Sequence, residues 1–168
     1  TGLIDDILEL KPRQKMFGIF VASLVVYFLA GIKVRELSLP FLGHIQLGWW
    51  SFPLTIFWIL ALTNAVNLID GLDGLATGVT LISLVTMGIV GFFFLKSWQH
   101  YVPIMCIMLA ACLLGFLPYN FHPAKIFLGD TGALYIGFMI SVLSLKGLKN
   151  VTFVSLLVPI LILGVPIT

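Results

Sequence analysis

Charge is scarce in this sequence. Only 10% of its 168 residues are Asp, Glu, Lys or Arg, whereas a soluble domain carries roughly 25%. With 60% hydrophobic residues and a mean hydropathy of +1.14, a water-soluble globular domain is excluded. A net charge of +2 is too small to support binding to nucleic acid. Cysteine is nearly absent too. Cys106 and Cys112 lie six apart in one apolar run, on different sides of a helix, so no disulfide between them is expected. No CxxC or Cys/His spacing for a metal exists, and both thiols are read as buried and inert. No repeat, linker or low-complexity tract breaks the chain, and no secretory leader is recognisable at the opening TGLIDD.

What the chain does have is long apolar runs. Six candidate membrane spans are expected at about 16–32, 53–69, 75–95, 102–118, 132–145 and 151–168. A 17-residue helix is about 26 Å long, near the minimum for crossing a bilayer. Residues 33–52 read differently. Arg35, Leu37 and Leu39, then Ile45 and Leu47, alternate around PFLG as in a small β-hairpin, and Trp49 and Trp50 suit an interfacial anchor. The expectation is an all-α polytopic transmembrane bundle of about six spans with a small β-hairpin on the non-cytoplasmic side. It forms a single membrane-embedded core over 1–168. The charged start and the apolar end LILGVPIT read as those of a fragment cut from a larger protein.

Six alternating spans put 1–15, 70–74 and 119–131 on one face. These loops hold Asp5, Asp6, Glu9, Asp70, Asp73 and Asp130, leaving Glu36 as the one acid of seven elsewhere. Basic residues do not fix the orientation. Lys11, Arg13, Lys15 and Lys125 share the acidic face, and five others lie opposite.

TNAVNLIDGLDGLATG, 63–78, places Asn64, Asn67, Asp70 and Asp73 three apart. DGLDG alone is good turn chemistry. A turn does not explain Asn64 and Asn67, which lie inside the apolar run, where polar groups are costly and usually serve a site. If the helix continues, the four form a slanted stripe leading into the loop.

In PYNFHPAKIFLGDTGALYIGF, 118–138, Asp130 lies between glycines just before a helix. It reads either as an N-cap or as an acid beside a phosphate-binding helix start. His122 alone reads as a packed loop histidine, and Phe127 alone as an interfacial anchor. In GLIDDILELKPRQK, 2–15, Asp5 and Asp6 repel each other, and Asp5 with Glu9 is an unfavourable i,i+4 pair on a bare helix. Water or a nearby cation would relieve both. Three acidic loops on one face favour a divalent-metal site. Mg²⁺ takes few protein carboxylates and draws its other ligands from phosphates.

These three motifs, in this order, resemble the polyprenyl-phosphate N-acetylhexosamine-1-phosphate transferases, bacterial enzymes that start teichoic acid, O-antigen and peptidoglycan lipid carriers. The likeness spans essentially the whole chain, and NLIDGLDGLATG is most similar to the branch that transfers GlcNAc-1-phosphate. The branch that uses UDP-MurNAc-pentapeptide stays open as the alternative, although it typically has a lysine where this chain has Glu9. The resemblance implies a helical fold in the bacterial plasma membrane with the active site facing the cytoplasm. It implies Mg²⁺, with Mn²⁺ as a substitute, and UDP-sugar, undecaprenyl phosphate and the lipid bilayer as partners, and it leaves room for a homodimer.

By resemblance, Asp130 is the magnesium ligand and Asn67 belongs to the metal and nucleotide region. Asp5 and Asp6 are the paired catalytic aspartates. Asp70 lines the active site as a catalytic acid, and Asp73 lines the nucleotide pocket. Asn120 and Phe127 contact uracil, the latter by stacking, and Lys15 faces phosphate. Asn64, in the same stripe, is read as substrate-facing. The family's histidine-rich loop after GVPI and its first helices have no counterpart here, since His44, His100 and His122 do not form that motif. On this reading, the chain alone is an incomplete catalyst.

The implied reaction is attack of undecaprenyl phosphate on the β-phosphorus of the UDP-sugar, with UMP leaving. A phosphate monoester is mostly dianionic at neutral pH, its second pKa being about 6, so direct in-line attack needs no strong base. An aspartyl-phosphate route with ping-pong kinetics is the alternative. Two other classes stay in play. One is a transporter or ion pathway, which would put its polar groups near the midplane, and the other is a non-catalytic membrane scaffold.

Overall fold

The computed structural model describes residues 1–147 apart from 9, 35, 40–42 and 96–99. Six α-helices carry most of the described residues: α1 (Gly2–Leu8), α2 (Pro12–Phe28), α3 (Ser51–Ile69), α4 (Leu75–Phe94), α5 (Tyr101–Asn120) and α6 (Gly129–Gly147). Between α2 and α3, β1 (Glu36–Leu39) pairs antiparallel with β2 (Gly43–Gln46), Leu37 opposite Ile45 and Ser38 opposite His44. A single 3₁₀ turn, Gly48–Trp50, leads into α3 with Trp49 and Trp50 exposed.

Gly48–Ile69, Leu75–Phe93 and Tyr101–Asn120 are long and apolar enough to cross a bilayer; the chain is a membrane protein. α2 and α6 lie where two further spans are expected, but with shifted ends. α2 starts at Pro12 rather than near 16, because proline is favoured in a first helical turn and the Lys11 N–H is taken by Gln14 Oε1 at 3.0 Å. It also ends earlier, at Phe28 rather than 32. The stretch 1–15 is therefore not a plain charged loop but α1 followed by the first turn of α2. The expected span 151–168 and Glu9, the partner in the expected acidic pair with Asp5, lie outside the described residues, as do Arg35 and Pro40–Leu42 of the expected hairpin.

The helices pack around three apolar clusters. Leu84, Cys106, Ala110, Ile136 and Ile140 join α4, α5 and α6; Leu62, Val66, Ile69 and Ala76 join α3 and α4; Val26, Ile59 and Leu145 join α2, α3 and α6. Hydroxyls inside these helices turn back on their own backbone, as Thr63 to Ile59 O at 2.7 Å and Thr80 to Ala76 O at 2.6 Å. That satisfies them where water is absent. α3 and α6 approach tightly at Gly137. A Cβ there would come within 2.9 Å of Thr63 Cα and 3.0 Å of Val66 Cβ. Trp58 Nε1 adds a hydrogen bond to Ser144 Oγ at 3.0 Å across the same pair. Both cysteines are free, but only Cys106 is buried. Cys112 faces outward from α5, six residues and so about a third of a turn round from Cys106, which corrects the expectation of two buried thiols.

Candidate active site

The polar ends of α1, α2, α3 and α6 meet at one place. Asp5 is 3% exposed in a helix whose Leu3, Ile4 and Ile7 are exposed. Its Oδ1 accepts the Leu10 N–H at 2.8 Å. Its Oδ2 is sealed from solvent without a well-aligned hydrogen bond among the described residues and lies against the ammonium of Lys15. Lys15 Nζ also reaches Asp130 Oδ2 at 3.0 Å. Asp130 Oδ1 in turn accepts a short hydrogen bond from Asn67 Nδ2. A relay Asp5–Lys15–Asp130–Asn67 thus ties four segments together, its members separated by up to 125 positions.

The electrostatics follow from this geometry. The Asp5 carboxylate, more than any other neighbour, raises the Lys15 ammonium above its ordinary pKa, with Asp130 adding to it against partial desolvation. Burial works against ionising Asp130, but the Asn67 amide and the Lys15 ammonium outweigh it and hold the carboxyl below its usual range. Asp70, at the end of α3, moves the other way. Desolvation, helped by the charge of Asp130, pushes it up to about 6.

A carboxyl whose folded-state pKa lies above its unfolded value costs stability when ionised. The folded state binds the extra proton between about pH 4 and 6, so stability falls as pH rises through that window and stays lower above it. Asp70→Asn is therefore expected to raise the melting temperature at pH 7.5, without added metal, by the equivalent of about 1–2 kcal/mol after allowing for solvent screening. The gain should vanish at pH 4. A pH series of thermal unfolding curves checks this, and an equal gain at both pH values would contradict it.

A second cluster adjoins the first. Asp73 Oδ2 accepts the Ala124 N–H at 3.1 Å and lies 3.0 Å from His122 Nδ1. These contacts, the Ala124 N–H first, hold Asp73 below the ordinary carboxylate range. His122 is accordingly not packed in its loop but exposed and paired with Asp73. The turn between α3 and α4 closes on Gly74, at φ +72°, against Asn120 and Phe121.

Not every residue singled out from sequence points into this site. Asn120 is buried, its Oδ1 taking the Thr77 hydroxyl at 2.6 Å and its Nδ2 donating to Ile126 O at 3.0 Å. It braces the loop that presents Phe127, which is 68% exposed. Asn64 turns back to Leu60 O at 2.7 Å and toward Met16 Sδ at 3.0 Å. The expected helical stripe breaks at Asp70, where α3 stops. Asp130 does not cap its own helix; it lies within the first turn of α6, and the cap comes from Asp6 (below). Thr131, whose hydroxyl and N–H meet Asp6, and Thr77 were missed by sequence reasoning. The only hint of Thr131 was its place next to Asp130 in GDTG.

Among the described residues no three His, Cys, Asp or Glu side chains gather into a metal cage. The donor set is sparser: the carboxylates of Asp5 and Asp130, an ammonium already between them, and the amide of Asn67 alongside. That set fits a hard cation that takes one or two protein carboxylates and completes its shell with substrate phosphates.

Known proteins share this arrangement of sequence. The family model described as glycosyl transferase family 4 matches residues 1–148. A Bacillus subtilis (strain 168) protein named "Probable undecaprenyl-phosphate N-acetylglucosaminyl 1-phosphate transferase" is 46% identical over 168 residues, covering 99% of this chain and 46% of its own length. A phospho-N-acetylmuramoyl-pentapeptide-transferase of Clostridium botulinum (strain Eklund 17B / Type B) is 40% identical over 154 residues, 86% of this chain and 47% of its own. Its namesake in Listeria monocytogenes serovar 1/2a is 36% identical over 155 residues, again 86% and 47%. The chain spans about half the length of the curated relatives it matches.

Proposed function

Since the chain belongs to glycosyl transferase family 4, we propose that the full-length protein transfers GlcNAc-1-phosphate from UDP-GlcNAc to undecaprenyl phosphate and releases UMP. The observation that carries this reading is the relay Asp5–Lys15–Asp130–Asn67. Carboxylates, a cation and an amide converge at the polar ends of apolar helices, where a membrane-borne phosphate and a water-borne nucleotide sugar can meet. The 46% identity to the Bacillus subtilis protein supports GlcNAc as the sugar. On this reading the chain is a transferase core in the bacterial plasma membrane with the relay on the cytoplasmic face, the side on which UDP-sugars are made.

Asp130, with Asn67 beside it, would hold Mg²⁺ or Mn²⁺, which when bound neutralises charge on the diphosphate. The chain's own groups do the rest. Lys15, an ammonium held between two acids, would face a phosphate oxygen as charge develops there. Asp5, shut off from water, orients Lys15 and keeps it charged. Asp70, its carboxyl pushed up to about 6 by desolvation and the charge of Asp130, would take the proton from the fraction of acceptor phosphate that is still monoanionic. Asp73 and Phe127 flank the nucleotide, Phe127 as the surface on which uracil stacks. With the acceptor phosphate already dianionic, direct in-line displacement at the β-phosphorus is the preferred path. Exchange of labelled UMP into UDP-GlcNAc in the absence of lipid would favour an aspartyl-phosphate instead.

The decisive assay supplies the full-length protein in detergent with labelled UDP-GlcNAc, Mg²⁺ and undecaprenyl phosphate. Labelled lipid diphosphate is the expected product. A transporter or scaffold would form none. The 40% identity to the Clostridium botulinum protein keeps a second donor in view, so UDP-MurNAc-pentapeptide is run beside UDP-GlcNAc, and preference for it would overturn the sugar assignment.

Phe127→Ala is expected to raise KM for UDP-GlcNAc about 5–100-fold with little change in kcat. Stacking on an aromatic ring is worth about 1–3 kcal/mol per base and is present in ground and transition states alike. Steady-state kinetics would reveal it. A loss confined to kcat would move Phe127 from the base to the phosphates.

A further inference from the structure

Neighbouring residues on an α-helix point about 100° apart, so Asp5 and Asp6 cannot serve the same point. In α1 they part company. Asp5 turns inward to Lys15. Asp6 turns to the start of α6, where its Oδ1 accepts the Asp130 N–H at 3.1 Å and its Oδ2 the Thr131 N–H at 3.1 Å, with the Thr131 hydroxyl closing on the same oxygen. Backbone N–H groups in a first helical turn have no partner within their own helix, and a carboxylate beside them is favoured by the helix dipole. α6 brings no cap of its own, because it opens on Gly129, at φ +67°. The cap is imported from α1, 124 positions earlier.

A second, independent feature holds α1 in place. A Cβ on Gly2 would fall 2.6 Å from Thr131 Cα and 3.0 Å from the Asp130 carbonyl oxygen. Only glycine lets α1 lie flush on the first turn of α6. One on Gly129 would sit 3.6 Å from both Asp6 oxygens, so the backbone there closely approaches the carboxylate that caps it.

We propose that Asp6 is a positioning residue: it clamps the first turn of α6 so that the Asp130 side chain faces Lys15 and Asn67, and it does not itself touch the reacting phosphates. The acidic pair is thus a division of labour, one carboxylate for the site and one for the backbone that presents the site. The activity consequence rests on the transferase reading above; the clamp does not.

The test uses the full-length protein in detergent, with thermal unfolding and steady-state transfer measured in parallel. Asp6→Ala should lower the melting temperature by about 2–4 °C and kcat at least tenfold. Asp6→Asn keeps one of the two acceptor oxygens and turns the other into a donor, so it should recover about half of the lost melting temperature and a corresponding part of the lost kcat. Thr131→Val should destabilise by itself yet add little on top of Asp6→Ala, since both remove the same contact. Should Asp6→Ala fail to insert, Asp6→Asn combined with Thr131→Val serves in its place. Independent, additive losses at 6 and 131 would overturn the clamp. So would an Asp6→Asn protein as inactive as Asp6→Ala with both melting like wild type, which would put Asp6 on the reacting atoms. If the wild-type protein transfers no GlcNAc-1-phosphate, the transferase reading fails and the melting cycle still decides the clamp.

Discussion

Asp130→Asn in the full-length protein is expected to lower GlcNAc-1-phosphate transfer by about two to three orders of magnitude, the scale of losing one well-placed electrostatic group at a phosphoryl centre. Its melting temperature should stay close to wild type. The substitution keeps the size of the side chain and leaves the Asp6 cap on the Asp130 and Thr131 N–H groups intact. What it removes is the charge facing Lys15. That ion pair is a third exposed on the aspartate side and so is worth no more than about 1 kcal/mol to stability. On the transferase reading, the same charge set against a diphosphate and its cation matters far more to turnover. Excess Mg²⁺ or Mn²⁺ should restore a small part of the activity. Near wild-type transfer at limiting Mg²⁺ by a normally melting variant would remove Asp130 from the metal.

The second large effect is on stability. Lys15→Met is expected to destabilise the protein by about 3 kcal/mol, because removing one partner of a buried ion pair strands the other charge. The Asp5 side chain is only 2% exposed, and its Oδ2 has no other partner among the described residues. A divalent cation can take the place the ammonium leaves. Mg²⁺ should therefore raise the melting temperature of Lys15→Met more than that of wild type. Thermal unfolding with and without Mg²⁺ reads both effects. A Lys15→Met protein that melts like wild type would mean that Asp5 does not depend on this pair.

The parts of the site that sequence revealed are those that cost free energy in an apolar chain. Asn67 within a span, Asp130 at the mouth of a helix and the Asp5–Asp6 pair stand out because a membrane segment does not carry such groups without a use. Their meeting in the structure joins three stretches singled out separately. The partnerships were not legible. That Asp5 binds Lys15 while Asp6 reaches Thr131 depends on Gly2–Leu8 being a helix, and its charged pattern suggested a membrane-flanking loop. Asn120, expected to contact uracil, is instead consumed by Thr77 and Ile126. Local sequence gives the cost of burying an amide but not the partner that offsets it. Helix ends slipped for a similar reason. Hydropathy marks the apolar stretch of α2, whereas Pro12 and Gln14, which start it, are polar-side features.

Gly137 gives the whole arrangement a mechanical reading. It is the fulcrum on which α6 crosses α3, seven positions and so about 10 Å along the axis from Asp130. On α3 the contact falls on Thr63 and Val66, immediately before Asn67. Two rods pivoting on a contact this tight move their ends together. A single methyl group wedged in at Gly137 would push the two backbones apart beside the place where Asn67 and Asp130 touch. The reach between two polar groups at the water's edge is thus calibrated from within the oily interior, and substitutions that never meet a substrate can detune the chemistry by altering how closely two backbones lie.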